Sequence, residues 1–143
     1  MKLFKRIGSF VVVAVMLFAL LIPVSAANVT SPEIAPCYNN TASTEIVFVI
    51  DENGVASVSY TCIGYRGIVS SIKTEIQIQK KVGTSWADVE GASWIDESSV
   101  YFCTNTHDYQ LSETGTYKAV VTFTVSGSGG AADVITREIE KTY

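Results

Sequence analysis

Apolar and polar residues alternate with a period of two along most of the chain beyond residue 43. In the segment 71–82, Ile72, Ile76 and Ile78 share one side, while lysine, glutamate and glutamine side chains take the other. Such alternation predicts a β-strand with one buried face and one face in water. The same kind of pattern predicts further strands at 44–50, 55–65, 86–91, 100–105, 116–125 and 134–143.

The stretch LSETGTYKAVVTFTV (111–125) joins a tight turn directly to an alternating strand. In β-sandwich domains a tyrosine often lies at the start of the sixth strand, and its hydroxyl bonds to the backbone just upstream. We therefore expect Tyr117 to be this corner residue, with its hydroxyl bonded within 111–114. Leu111 would pack under the turn, and Gly115 would permit the tight backbone path.

Seven or so short strands separated by turns, without a helical stripe, predict an all-β fold. The expected architecture is an immunoglobulin-like or fibronectin-III-like antiparallel β-sandwich. This fold class is shared by proteins of many activities, so it does not by itself assign a function.

Two short motifs resemble a known group of proteins. They are IQKKVGTSW (78–86) and GTYK (115–118), within a similarity that covers most of 55–126. The chain resembles small secreted immunoglobulin-like proteins of Gram-positive bacteria, which have no assigned activity. Lys118 stands where arginine is commoner in that group. The resemblance implies the fold and secretion, and it implies no functional residue.

The first 26 residues have the layout of a secretory signal peptide. Lys2, Lys5 and Arg6 precede an apolar run from residue 10 to 22, and small residues lead to Ala26. The alternative is an uncleaved membrane anchor, but the run is shorter than the roughly 20 residues that cross a bilayer. We expect cleavage after Ala26, an extracellular location and no stable membrane insertion afterwards.

Two further segments complete the predicted domain organisation. Residues 27–43 contain two prolines and many serine, threonine and asparagine residues, and they predict an extended leader or tether. Residues 44–143 form the predicted β-sandwich domain. Removal of the three basic signal residues leaves 7 basic against 14 acidic residues, a net charge of −7. Such a chain lacks the clustered lysine and arginine that nucleic acids require, so no nucleic-acid partner is expected.

The three cysteines, Cys37, Cys62 and Cys103, are an odd number with wide spacings. At least one is therefore unpaired in a monomer, and no zinc-ribbon spacing is present. Cys62 and Cys103 fall on strands that are neighbours in an immunoglobulin-like order. We expect these two thiols to lie close together and to be the pair that forms any disulfide, in preference to a pair that includes Cys37.

Three polar clusters have residue types that occur in catalytic or metal sites. His107, the only histidine, stands beside Asp108 without a second nitrogen or sulfur ligand, and we interpret it as a turn histidine with a capping aspartate. The segment 51–54 (DENG) lacks the glutamate of a calcium loop and predicts a hairpin. Asp96 and Glu97 are interpreted as solvated loop acids. No catalytic residue, metal or cofactor is expected.

Four aromatic side chains are candidates for stacking on sugar rings: Trp86, Trp94, Tyr101 and Tyr109. The alternative for Trp86 is packing over the edge of the core, which we prefer. Trp94 falls in a segment that predicts irregular structure, 92–99, so its exposure decides between the two interpretations.

These observations favour a secreted, non-enzymatic β-sandwich module. It would bind a protein or glycan partner, or act structurally, at the cell surface or in the extracellular space. The alternative is a carbohydrate-binding module that uses exposed tryptophan and tyrosine rings. A small secreted hydrolase is a second alternative, disfavoured because one histidine and scattered acids do not predict a pocket of convergent titratable groups.

Overall fold

The computed structural model describes residues 38–143, which form seven β-strands. They are β1 (Thr41–Ile50), β2 (Val55–Gly64), β3 (Val69–Val82), β4 (Ser85–Ser98), β5 (Phe102–Gln110), β6 (Thr116–Gly127) and β7 (Gly130–Thr142). The predicted signal peptide, 1–26, and residues 27–37 of the predicted leader lie outside the described residues. β1 begins at Thr41, three residues before the predicted start of the domain.

The strands form two antiparallel sheets, one ordered β1–β2–β5 and the other β4–β3–β6–β7. The predicted fold class, a seven-stranded antiparallel β-sandwich, is confirmed. In constant-type immunoglobulin domains the fourth strand lies in the sheet of the first two strands. Here it pairs with β3 instead, so β4 and β5 are the edge strands on the same side of the sandwich.

The core follows from strict alternation along the central strands. β2 and β6 have every second side chain buried, and these rows face one another between the sheets. Tyr60 of β2 meets Phe123 of β6 edge to face, with ring centroids 5.8 Å apart. Burial of each large apolar side chain contributes about 1.5–3 kcal/mol, so these two rows supply much of the stabilising energy.

β4 is a continuous strand to Ser98, so the prediction of irregular structure over 92–99 is wrong. The register with β3 shifts between Gln77 and Gln79, where β4 carries extra residues, and Gly91 takes a φ of 76°. The Gln77 amide donates to the carbonyls of Val89 and Ala92 within this bulge. Beyond the bulge the side chains again alternate between the two faces of the sheet, but the positions that face inward are displaced by one residue.

The corner between β5 and β6 has the geometry expected of a tyrosine corner. The side chain of Tyr117 is 2% exposed, and its hydroxyl donates to the carbonyl of Glu113 at 2.7 Å. Leu111 is buried beneath the turn. Gly115 has a φ of 149°, a conformation that other residues rarely adopt, and it pairs with the backbone of Tyr143.

A carboxylate joins the two sheets at the β1–β7 edge. Asp133 of β7 accepts hydrogen bonds from the backbone N–H groups of Asn39, Asn40 and Thr41 and from the Thr41 hydroxyl, at 2.8–3.1 Å. Burial disfavours the charged form of Asp133, but these hydrogen bonds outweigh burial and lower the pKa of its carboxyl. The start of β1 is thereby fastened to β7.

Candidate functional site

A polar cluster joins the two sheets at the opposite, β4–β5 edge. Asp96 lies on β4 with its side chain directed between the sheets, so its interpretation as a solvated loop acid is wrong. Its Oδ2 accepts hydrogen bonds from the Tyr60 hydroxyl and from Nε2 of His107, each at 2.6 Å. The Asn105 amide donates to both carboxylate oxygens at 3.3 Å. One carboxylate thus connects β4 to β2 and β5.

The electrostatics of this cluster stabilise an ionised Asp96. Burial alone would raise the pKa of Asp96, but hydrogen bonds from His107 and Tyr60 outweigh burial, and the pKa lies below its ordinary value. Burial, together with the bond to Asp96, raises the pKa of Tyr60. The tyrosine therefore remains a neutral donor to a charged acceptor, which is the stronger class of hydrogen bond.

His107 lies inside β5 and not in a turn, so its interpretation as a turn histidine capped by Asp108 is wrong. Its ring stacks on Trp94 of β4, with centroids 4.9 Å apart and planes 16° apart. The Asp108 side chain instead accepts from the Ser57 hydroxyl on the outer face of the three-stranded sheet. Within 38–143, the Nε2–H group of the His107 ring donates to Asp96, and no serine, threonine or cysteine side chain forms a hydrogen bond with the ring.

The four aromatic side chains that were candidates for stacking on sugar rings do not form one platform. Trp94 is half-buried against the core and stacks on His107. Tyr109 is half-buried, and its hydroxyl donates to the Glu90 carbonyl at 2.9 Å. These two rings cover the β4–β5 edge. Tyr101 lies apart from them, at an end of the sandwich.

Trp86 projects from the outer face of the four-stranded sheet, so the expectation that it covers the core edge is wrong. The ammonium groups of Lys118 and Lys81 lie 4.8 Å and 5.7 Å from the centroid of its ring. Lys118 also pairs with Glu138 at 3.1 Å. The cation–π contacts and the lysine stems cover an aromatic ring that would otherwise face water.

Exposed apolar side chains gather at the end of the sandwich where β2 ends and β5 begins. We call Tyr65, Arg66, Val100, Tyr101 and Phe102 the aromatic end patch. Its four apolar members are 36–56% exposed. The Arg66 guanidinium lies 5.2 Å over the ring of Tyr101, which connects the two loops of the patch. Of these residues only Tyr101 was a candidate from the sequence, although three consecutive large apolar residues at 100–102 in a strand require at least one side chain to face outward.

The charge of the aromatic end patch differs from that of the whole chain. Segments 63–72 and 98–105 contain no acidic residue, although acidic residues outnumber basic ones in the sequence. Arg66 therefore gives the aromatic end patch a local positive charge.

A depression lined by β3, β4 and β6 has a volume of about 550 Å³ and is open to solvent. Most of its lining is polar: Ser71, Lys73, Glu97, Ser98, Ser99, Thr124 and Ser126. Histidine does not line it. Among residues 38–143, no cluster of three or more histidine, cysteine or acidic side chains is placed to hold a metal ion.

The two described cysteines lie directly opposite one another. β2 and β5 are neighbours in one sheet, and the register pairs Cys62 with Cys103. Both side chains are buried, and both are free thiols in this structure. Burial, with a smaller effect of the neighbouring thiol, raises the pKa of Cys62 to about 12. The Cys103 sulfur lies 3.4 Å from the Tyr60 hydroxyl.

No protein-family model, curated protein or solved structure matches this chain. In the part of the chain that the structure describes, no helix is long and apolar enough to cross a membrane. A candidate functional site must therefore be chosen from the structure of the chain itself. Of the features described above, the aromatic end patch is the best candidate, because its side chains are exposed.

Proposed function

We propose that this protein is a secreted, non-enzymatic binding module that contacts a protein partner through the aromatic end patch. The supporting observation is that Tyr65, Tyr101 and Phe102 are exposed at the end of the sandwich where Arg66 lies over the Tyr101 ring. Tyrosine, phenylalanine and arginine are enriched at protein interfaces, where a few such side chains supply most of the binding energy.

The charge of the aromatic end patch favours a particular chemistry in the partner. Arg66 is held over Tyr101, in segments of the chain that lack acidic residues. An apolar partner surface that carries a carboxylate would bury the rings and pair with the guanidinium. The remainder of the acidic chain would repel the same carboxylate, which would orient the partner toward this end.

A protein partner is favoured over a sugar because Tyr101 already has a guanidinium on its ring. Arg66 occupies one face of Tyr101, so only the opposite face is left for stacking on a pyranose. The carbohydrate-binding alternative also relied on four rings acting together, whereas Trp86, Trp94 and Tyr109 lie elsewhere and have partners within the chain. The hydrolase alternative has no support in the polar cluster, because no serine, threonine or cysteine side chain within 38–143 forms a hydrogen bond with the His107 ring.

Photocrosslinking in cells that export the full chain tests this function. A benzoylphenylalanine at position 102 should yield one discrete protein adduct, and Arg66→Glu or Tyr65→Ser should remove it. The matched control is Val47→Ser on the outer face of the three-stranded sheet, an exposed apolar residue whose loss should leave the adduct intact.

Three outcomes would count against the proposal. They are the lack of an adduct at position 102, an equal adduct from a probe at the exposed Val134, and an adduct insensitive to Arg66→Glu. Retention on protease-treated cell-wall glycan, lost with Tyr65→Ser, would assign the aromatic end patch to a carbohydrate instead.

A further inference from the structure

We propose that Cys62 and Cys103 are a redox-active pair that is oxidised to a cross-strand disulfide during export, by an oxidant that itself carries a disulfide. The proposal is independent of the partner described above, because it concerns a buried site and is measured by counting thiols. Its basis is the position of the two cysteines in the β2–β5 ladder.

The ladder geometry places the two α-carbons at a separation that suits a disulfide. The Gly64 N–H donates to the carbonyl of its direct neighbour Tyr101 at 2.7 Å, which marks a hydrogen-bonded pair. Such pairs alternate along antiparallel strands, so Cys62 and Cys103, two residues further on, also form one. Opposed α-carbons in these pairs are about 5.5 Å apart, within the roughly 4.4–6.8 Å range of disulfides.

The two thiols also lie on the same face of the sheet. Both side chains point into the core, with Cys62 fully buried and Cys103 8% exposed. A shift of one residue in the register would place one thiol on the outer face, so the observed register is a specific requirement for a bridge. Cys103 lies on the edge strand, next to Tyr60, and an oxidant approaching between β4 and β5 reaches it first.

A disulfide oxidant forms the bridge in two successive thiol–disulfide exchange steps. The Cys103 thiol loses its proton and attacks one sulfur of the oxidant, whose S–S bond breaks to release a thiolate. The Cys62 thiol then loses its proton and attacks the Cys103 sulfur of the mixed disulfide, which expels the second oxidant thiolate. The protein loses two electrons and two protons, and the oxidant becomes a dithiol.

The burial of Cys62 determines when this reaction occurs. With a pKa of about 12, the buried thiol rarely forms the thiolate that must complete the exchange. The second step is therefore slow once the β4–β5 edge has closed around Tyr60 and Asp96. Oxidation accordingly accompanies folding outside the cytoplasm, before the edge closes.

Thiol counting on the exported full chain tests the proposal. Alkylation in denaturant without reductant should add one label, at Cys37, whereas prior reduction should allow three. The matched control is Cys37→Ala, which should take up no label before reduction and two labels after it. Labelling of Cys62 and Cys103 without reduction, or a bridged peptide containing Cys37, would overturn the proposal.

Two further measurements test the structural consequences of the bridge. It would close a loop between residues 41 positions apart in the sequence, so reduction should lower the melting temperature of Cys37→Ala by roughly 10 °C or more. Refolding the reduced chain with oxidised glutathione should restore the bridge at least about tenfold faster than adding glutathione to the folded, reduced chain. An unchanged melting temperature, or equal rates, would contradict this account.

Discussion

The hydrogen bond from Tyr60 to Asp96 should stabilise the fold measurably, because it connects the two sheets across the β4–β5 edge. Tyr60 is almost fully buried, and its hydroxyl lies 2.6 Å from the carboxylate. A hydrogen bond to a charged group contributes about 1.5–3 kcal/mol. Tyr60→Phe should therefore lower the free energy of unfolding at pH 7 by about 2 kcal/mol.

A double-mutant cycle isolates this bond from the other effects of each substitution. Asp96→Asn retains an acceptor for both Tyr60 and His107 but removes the charge, so we expect a loss of about 1–2 kcal/mol. Because Asp96→Asn weakens the same hydrogen bond that Tyr60→Phe removes, the double variant should be about 1 kcal/mol more stable than the sum of the single effects predicts. Urea denaturation followed by tryptophan fluorescence measures all four chains.

The pH dependence of the cycle provides an internal check. The folded-state pKa of Asp96 is lowered from a reference value of 3.8. Its stabilising effect is therefore fully present above the unfolded-state pKa and is lost as the pH falls through the folded-state pKa. The difference in the free energy of unfolding between wild type and Asp96→Asn should therefore become smaller below about pH 4. Asp133, whose pKa is also lowered, contributes to the pH dependence of both wild type and Asp96→Asn, so its contribution cancels when the two chains are compared.

Ser59→Ala is the matched control for the cycle. Ser59 lies on the same strand as Tyr60, and its hydroxyl bonds to Thr106 on the exposed face. Loss of this exposed bond should change the free energy of unfolding by no more than about 0.5 kcal/mol. Two results would refute the proposed role of the Tyr60–Asp96 hydrogen bond. One is additivity of Tyr60→Phe and Asp96→Asn at pH 7; the other is a difference in unfolding free energy between wild type and Asp96→Asn that does not change with pH.

Four further predictions concern other parts of the chain. Tyr117→Phe should lower the free energy of unfolding in urea by about 0.5–1.5 kcal/mol, because it removes the bond to the Glu113 carbonyl. Asp133→Asn should lower it by about 1–3 kcal/mol at pH 7 and by less below pH 4, since the pKa of Asp133 is lowered; equal losses at both pH values would contradict this. Thr74→Val should raise the melting temperature by a few degrees, since the Thr74 hydroxyl is buried without a hydrogen-bond partner among residues 38–143. N-terminal sequencing of the exported protein should begin near Ala27, and a product that retains Met1 would exclude cleavage.

The sequence was most informative where one face of a strand is buried and the other is in water. Alternation over 71–82 and 116–125 predicted β3 and β6, and the turn before Tyr117 predicted the corner, because these patterns follow directly from the pleat of the strand. The neighbouring positions of Cys62 and Cys103 followed from the strand order of the fold class. These features depend on local geometry and on a common topology.

The β4 strand was mispredicted because two effects hide its period. The bulge around Gly91 shifts the parity of alternation, so a regular pattern breaks in mid-strand. Asp96 then occupies an inward position, which resembles a polar loop unless its partners on β2 and β5 are known. Those partners lie 36 and 11 residues away, and only the packing of the two sheets brings them together.

The environments of Trp86 and of the aromatic end patch depend on contacts between distant segments, which local sequence patterns do not reveal. A tryptophan at the start of an edge strand is expected to turn toward the core, but the register places Trp86 opposite the outward-facing Lys81. Lys118 lies two strands away in the sheet, and its contact with the ring depends on the pairing of β3 with β6. The aromatic end patch likewise joins loops that are distant in sequence, so its extent could not be predicted from local patterns.

The hydrogen bonds that Asp133 accepts from residues 39–41 also determine how the domain would carry a mechanical load. A pull on the chain at Tyr38 enters the fold at residues 39–41, which one carboxylate holds through four hydrogen bonds. Peeling of β1 from the sandwich would have to break these four hydrogen bonds, which converge on one carboxylate. Part of the force therefore passes from the first strand to the last, and from one sheet to the other.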